Sequence, residues 1–251
     1  MTYRVIYEPK GRAKEYAELA CNFATSCAHG CVYCYAPTVL RTTRAEFAKV
    51  VRKVKLIDNL AHDAEEMRRT GDKRRVLCCF ACDPYSPGLE GTMFQALDIF
   101  RMAETRFSVL TKAGLRAVPD LGWYGKRGEF GQTISTMREQ TRANMEPCAS
   151  PIAHRFEAFR IARSYGIATW ASVEPVIDIE DGKEVMRSLD GQVDTIKVGR
   201  WNHDARARGM DWVGFADWVA VFSLGARSKI VLKRDLAVLA GRKRKAVTDA
   251  D

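Results

Sequence analysis

Apolar and polar positions follow two rhythms along this chain, and the rhythms take turns. Short runs rich in β-branched or apolar residues recur at 75–80, 107–111, 132–135, 168–173, 193–198 and 229–232. Each has the length of a strand, and an earlier one falls near Leu19–Phe23. Longer amphipathic segments separate them, at about 43–60, 91–104, 152–165, 180–189 and 211–224. In the third of these, Ile152, Phe156, Phe159 and Ile161–Ala162 return at roughly helical spacing. Strand, helix, strand at this interval predicts parallel βαβ units. Six or seven such units in 251 residues predict an α/β fold, a partial barrel open on one side. Active sites of such barrels lie at the C-terminal ends of the strands, so the residues just after each run are the candidates for chemistry.

The chain shows no repeat of 20 to 50 residues and no low-complexity linker, which predicts one domain over 1–251, with its core at about 18–235 and a basic tail at about 240–251. A hydrophobic fraction of 47% is enough for a sizeable core. No stretch reaches the roughly 18 apolar residues that a membrane span needs. The opening Met-Thr-Tyr-Arg-Val-Ile-Tyr-Glu lacks the plan of a secretory signal. These features predict a cytoplasmic protein, in which eight cysteines favour metal or catalytic use over disulfides. The formal charge of +9 points toward an anionic partner such as nucleic acid, although many basic enzymes bind none. Part of the excess sits in Arg68-Arg69, Lys73-Arg74-Arg75 and Arg242-Lys243-Arg244-Lys245.

The densest chemistry follows the first strand. Cys27, Cys31 and Cys34 form a C-x3-C-x2-C run, with Tyr33 before the last cysteine. Three soft thiolates on one loop can hold three irons of a cubane cluster and leave the fourth iron open. A structural zinc site would need a fourth ligand, which Cys21, His29 or Cys148 could supply. Gly30 lets this loop turn tightly. Further along come Cys82-Asp83-Pro84-Tyr85-Ser86-Pro87-Gly88-Leu89-Glu90, then Thr111-Lys112, then Ile134-Ser135-Thr136. Glu146-Pro147, Ser150-Pro151, Arg155 and Val173-Glu174-Pro175-Val176 complete the set.

In order and spacing these elements resemble the spore photoproduct lyase-like branch of radical S-adenosylmethionine (SAM) proteins, over about residues 18–235. The resemblance implies a partial (β/α)6 radical SAM barrel, open on one side, with a short C-terminal addition. It implies a [4Fe–4S] cluster on Cys27, Cys31 and Cys34, with SAM on the open iron. Tyr33 would shield the cluster and stack on the adenine. Asp83 would accept from the SAM ammonium, Lys112 would pair with its carboxylate, and Ser135 would bond the carboxylate or the ribose. An external one-electron reductant such as flavodoxin or ferredoxin would drive reductive cleavage of SAM to a 5′-deoxyadenosyl radical, which abstracts hydrogen from a substrate. That substrate would be DNA or RNA, repaired or modified, with a small molecule or peptide as the alternative. A zinc-stabilised nucleic-acid-binding protein without catalysis is the reading from a different class.

Other residues carry two readings each. Cys82, or Cys79, would return a hydrogen atom to the product in that branch, although Phe80 competes for the position. Both thiols also read as small buried apolar residues. Glu174 could contact SAM or substrate, act as a base, or pair with Lys197 or Arg200. Arg200 and Trp201 could grip and stack a base or cap the barrel. Tyr35 could shield the cluster or pack in the core, and His203 reads as a surface histidine. Glu146 and Arg155 read as an ion pair bracing the loop after the fourth strand. Against the resemblance, the chain is expected to lack the longer C-terminal extension of that branch, which weakens the assignment to damaged DNA. It also has no second cysteine-rich block to hold an auxiliary cluster.

Overall fold

The structure, a computed structural model, describes residues 4–240. The Arg242–Lys245 run lies outside the described residues. One open sheet carries the fold, with its strands in sequence order. These are β1 (Ile6–Tyr7), β2 (Leu19–Cys21), β3 (Val76–Cys78), β4 (Phe107–Thr111), β5 (Gly128–Thr133), β6 (Ala168–Val173), β7 (Thr195–Val198) and β8 (Lys229–Leu232). Strands β2 to β8 run parallel, and β1 is antiparallel to β2. The helices between them are α1 (Ala36–Val39), α2 (Arg44–Phe47), α3 (Leu56–Thr70), α4 (Thr92–Met102), α5 (Glu139–Met145), α6 (Ile152–Ser164), α7 (Ile179–Leu189) and α8 (Trp212–Phe222). This is the expected partial barrel. Among the described residues no helix is long and apolar enough to cross a membrane.

Strand alternation sorts the side chains into two layers. Leu19, Cys21, Val76, Cys78 and Val109 pack outward with Leu60, Met67, Leu97 and Phe100 of the helices. Ala20, Leu77 and Trp170 point inward, with Tyr16, Phe80 and Leu110 against them. Parallel strands covered on both faces read as continuous apolar runs, which is why most of them were visible in the sequence.

Three elements depart from expectation. The amphipathic stretch 43–60 is two helices, α2 and α3, because the backbone between them is drawn to the sheet. Lys53 N–H donates to Phe23 O at 2.9 Å, and Ala24 bridges Arg52. The fourth parallel strand begins at Gly128, before the expected 132. Strand β1 is an addition, held by Asp63 of α3. That carboxylate is fully buried and accepts the backbone N–H groups of Arg4, Val5 and Ile6 at 2.7 to 2.9 Å.

The sheet does not close. The segment around Gly11–Glu15, a 3-10 turn, crosses the gap toward β8. Arg234 N–H donates to Glu15 Oε2 at 2.8 Å, and Lys197 Nζ donates to Tyr16 O at 3.3 Å. Tyr16 divides the interior. It borders a cavity of about 570 Å³ at the C-terminal strand ends and another of about 320 Å³ at the N-terminal ends.

Candidate functional site

The larger cavity is bordered by Cys31, Tyr33, Cys34 and Tyr35 on one side and by Lys112 beside them. The cysteine loop is fastened from several directions. Cys27 N–H donates to Phe47 O and Val32 N–H to Met145 O, both at 2.9 Å. Ala28 N–H donates to Ser86 Oγ at 2.9 Å. Arg44 covers the loop from outside, donating to the carbonyls of Cys31, Val32 and Cys34 at 3.0, 2.7 and 3.2 Å. Gly30 has φ +66°, and a Cβ there would stand 3.3 Å from Pro147 Cγ. Both facts favour glycine at this turn.

The donor set fits an iron–sulfur cluster. All three cysteines are free thiols on one loop, and two of them face the cavity. Burial pushes the Cys27 thiol up to about 12 and the Cys31 thiol up to about 11. Both therefore keep their protons until a metal displaces them. Among the described residues no His, Cys, Asp and Glu group is gathered for a single metal ion. Of the residues weighed as a fourth zinc ligand, Cys21 is buried in β2 and Cys148 is exposed. His29 Nε2 lies 2.9 Å from Asp83 Oδ2, and among the described residues neither ring nitrogen makes a hydrogen bond.

Behind the cluster loop stands a buried polar layer. Glu146 accepts from Tyr33 Oη, from Ser135 Oγ at 2.8 Å and from Arg155 Nη2 at 2.6 Å. Arg155 also donates to Thr133 O at 2.8 Å and Ser150 O at 2.9 Å. Burial alone would raise the Glu146 carboxyl, but Arg155 and Lys112 outweigh it and hold it at about 2. The expected brace is present, and it reaches Tyr33 of the cysteine motif as well as the loop after β5. Asp83 is likewise engaged. It accepts from Thr111 Oγ1 at 2.7 Å, Tyr85 N–H at 2.9 Å and Lys112 N–H at 2.7 Å. Burial works against the Lys112 ammonium, and Cys31, Glu146 and Asp83 more than offset it, raising its pKa. Lys112 Nζ lies 5.8 Å from the Tyr33 ring centre. Of the four residues assigned to SAM, Tyr33 and Lys112 border the cavity, while Asp83 and Ser135 stand one layer behind them.

The opposite wall comes from β6, β7 and β8. Glu174 accepts from Tyr16 Oη and from Lys233 Nζ. Tyr16 Oη also lies 3.2 Å from Ser172 Oγ. The Lys233 ammonium rests 3.4 Å from the Tyr16 ring centre. So Lys233, rather than Lys197 or Arg200, is the cation paired with Glu174. Lys197 lies within β7, short of the strand end, and its ammonium sits 4.2 Å from the Trp170 ring centre instead. Gly199 makes room for the pair, since a Cβ there would fall 2.7 Å from Glu174 Cδ and 2.8 Å from Lys233 Cδ. Tyr16 and Lys233 carried no motif, and only their long-range contact reveals them.

The remaining candidates divide. Cys79 and Phe80 border the cavity and Cys82 does not. Cys82 Sγ accepts the Ala24 N–H at 3.4 Å. His203 is exposed, as expected of a surface histidine. It borders the cavity, and its ring centre lies 5.1 Å from that of Tyr35. Arg200 and Trp201 both border the cavity.

Comparison with known proteins agrees with this architecture. No family model matches the chain. An uncharacterized protein of Acidianus two-tailed virus, ORF301, is 28% identical over 235 residues, covering 85% of this chain and 77% of that protein. Among solved structures, a spore photoproduct lyase mutant with bound AdoMet and dinucleoside spore photoproduct superposes with a TM-score of 0.62 at 20% identity. The match covers 80% of this chain and 61% of the lyase. SuiB of Streptococcus suis, bound to S-adenosylmethionine, superposes with a TM-score of 0.64 at 11% identity, over 85% of this chain and 49% of SuiB. Both carry the methionine-derived ligand in their structures, and the chain shares their fold. It spans about half to three-fifths of the length of these solved chains.

Proposed function

We propose that this chain is a radical SAM enzyme. The observation that carries the reading is the meeting of Cys31, Cys34, Tyr33 and Lys112 on one cavity at the strand ends, in a fold whose solved neighbours include chains that bind SAM. Cys27, Cys31 and Cys34 would hold a [4Fe–4S] cluster. When bound and reduced by a one-electron donor such as flavodoxin or ferredoxin, the cluster supplies the electron that cleaves SAM to a 5′-deoxyadenosyl radical.

The chain's own residues supply binding, orientation and exclusion of water. Lys112 presents a compact ammonium to the SAM carboxylate. Tyr33 offers a ring face, fixed because its hydroxyl is tied to Glu146. Asp83 holds the backbone N–H of Lys112, and Ser135 holds Glu146, so both position the SAM-facing residues and are in reach of SAM only through rearrangement. Tyr16, Phe80 and Leu110 close the cavity floor against bulk water, which protects a reactive carbon radical. Of the two thiols considered for hydrogen return, Cys79 faces the cavity and Cys82 does not.

The substrate reading favoured by the net charge of +9 is nucleic acid, modified or repaired. A small molecule or peptide is the second reading, favoured by a cavity of only about 570 Å³. The test is anaerobic purification with iron and sulfide analysis, followed by reduction in the presence of SAM. A brown protein with about four irons that releases 5′-deoxyadenosine supports the proposal. A colourless protein holding one zinc refutes it. Salt-dependent binding to DNA or RNA then separates the two substrate readings.

A further inference from the structure

The wall beyond β7 carries two donors with no acceptor among the described residues. Trp201 is 5% exposed and borders the cavity, and its indole N–H is buried without an acceptor. Two other buried tryptophans contrast with it: Trp170 donates to Ser108 Oγ at 2.9 Å and Trp212 to Ala207 O at 2.8 Å. Arg200, the preceding residue, also borders the cavity, and its Nε–H is buried without an acceptor. Among the described residues it has no ion-pair partner. Folded proteins seldom leave buried donors unmet, so such groups call for an explanation.

The surroundings keep both donors in place. The Arg200 guanidinium carbon lies 5.2 Å from the Trp212 ring centre, and that of Arg206 lies 4.5 Å from the Trp201 ring centre. Gly199 N–H donates to Val173 O at 3.1 Å, and Asn202 Nδ2 donates to Arg200 O at 3.0 Å, which fixes the loop from both sides. Two of the other cations on the cavity are committed elsewhere. Lys233 pairs with Glu174, and Lys112 faces Cys31, Glu146 and Asp83. Lys10 and Arg200 are the cations left for a ligand, and Arg200 is the one that stands next to a second unmet donor.

We propose that Arg200 and Trp201 form a recognition subsite for an anionic group of the substrate, a phosphate or a carboxylate, held by Arg200 Nε–H and Trp201 Nε1–H. Two N–H donors on one oxyanion, one of them charged, form a strong and directional contact. The proposal rests on reading the cavity as a substrate chamber.

The test is calorimetric titration of the full chain, cluster-loaded and anaerobic, with inorganic phosphate and separately with succinate. One of the two anions is expected to bind. Arg200→Gln should weaken it about tenfold or more, and Trp201→Phe by a few-fold. Arg200→Lys, which keeps the charge but moves the donor, should recover only part of the loss. Preference for phosphate assigns a phosphoryl group to the substrate, and preference for succinate assigns a carboxylate. Binding of neither anion overturns the proposal, as does equal affinity in wild type and both variants. A fall in SAM affinity instead of anion affinity also overturns it, because the donors would then serve SAM. The two variants alter separate side chains, so misfolding of one leaves the other as the test. The readout needs no turnover. A chain that binds phosphate through Arg200 yet takes up no iron would refute the enzyme reading and support the subsite.

Discussion

The two walls of the main cavity are built on opposite plans. The wall of β3, β4 and β5 is wired to itself. Glu146, Arg155, Ser135, Tyr33, Asp83 and Thr111 use one another's donors and acceptors, and of these six only Tyr33 borders the cavity, beside Lys112. The wall of β6, β7 and β8 joins one committed triad, Tyr16–Glu174–Lys233, to two donors that nothing among the described residues meets. A wall saturated from within suits a group that is the same in every turnover. A wall with unmet donors suits a partner whose own atoms complete it.

That contrast can be broken experimentally. The largest effect belongs to the metal ligands. Cys34→Ala should reduce iron to background and abolish 5′-deoxyadenosine formation, read by iron analysis and chromatography. Retention of a full cluster would remove the cavity's functional side altogether. Next comes the saturated wall. Glu146→Gln leaves Arg155 buried without its anion and should cost about 3–5 kcal/mol, read as a fall in Tm of roughly 10 °C or more for a chain of this size. The same carboxyl predicts a pH effect. It is held at about 2, against roughly 4.3 in an unfolded chain. Its contribution is present above about pH 4.3 and is lost as pH falls toward 2. Acid unfolding of Glu146→Gln should therefore be shallower than wild type across that window. An unchanged slope would show that the pair does not hold the wall.

Lys112→Met should weaken SAM binding about 10- to 100-fold while iron content stays full, measured by calorimetry on the loaded protein. Loss of iron together with SAM would show that Lys112 serves the cluster loop rather than the ligand. The smallest effect is expected at Gly199→Ala, where the new Cβ meets Glu174 and Lys233. A cost of about 1–3 kcal/mol is expected from the forced shift, seen as a lower Tm with cluster uptake intact. No change in Tm would mean that the triad is loosely held.

The sequence disclosed the first wall far better than the second. Cysteine spacing and the strand-end residue Lys112 were legible beside recognisable apolar runs, and Glu146, at the end of α5, was legible from its place after Ser135 and before Pro147. Strand β5 was legible only at its end. Its start carries Gly128 and Gly131, which weaken a strand signal, yet both are required by packing. A Cβ at Gly131 would stand 2.2 Å from Trp170 Cε2, and one at Gly128 would stand 2.6 Å from Phe107 Cζ. The long reach of α3 was available in Leu56, Leu60, Ala64 and Met67, and the valines at 50, 51 and 54 masked its true start. The second wall depends on Tyr16 meeting Glu174 and Glu174 meeting Lys233. No local pattern encodes a contact across 158 residues, so the partner of Glu174 had to come from the fold.

The strap across the open side of the barrel has a consequence for how the molecule is made. Glu15 meets the backbone of Arg234, a partner 219 positions later. During synthesis the strap leaves the ribosome early and waits while every parallel strand is added beside its predecessor. Neighbouring βαβ units can associate as they emerge, because each needs only the one before it. The seam cannot form until residue 234 exists, and the loop it closes is nearly the whole chain. The chamber is thus sealed only by the final step of assembly, and an unfinished chain has an open side.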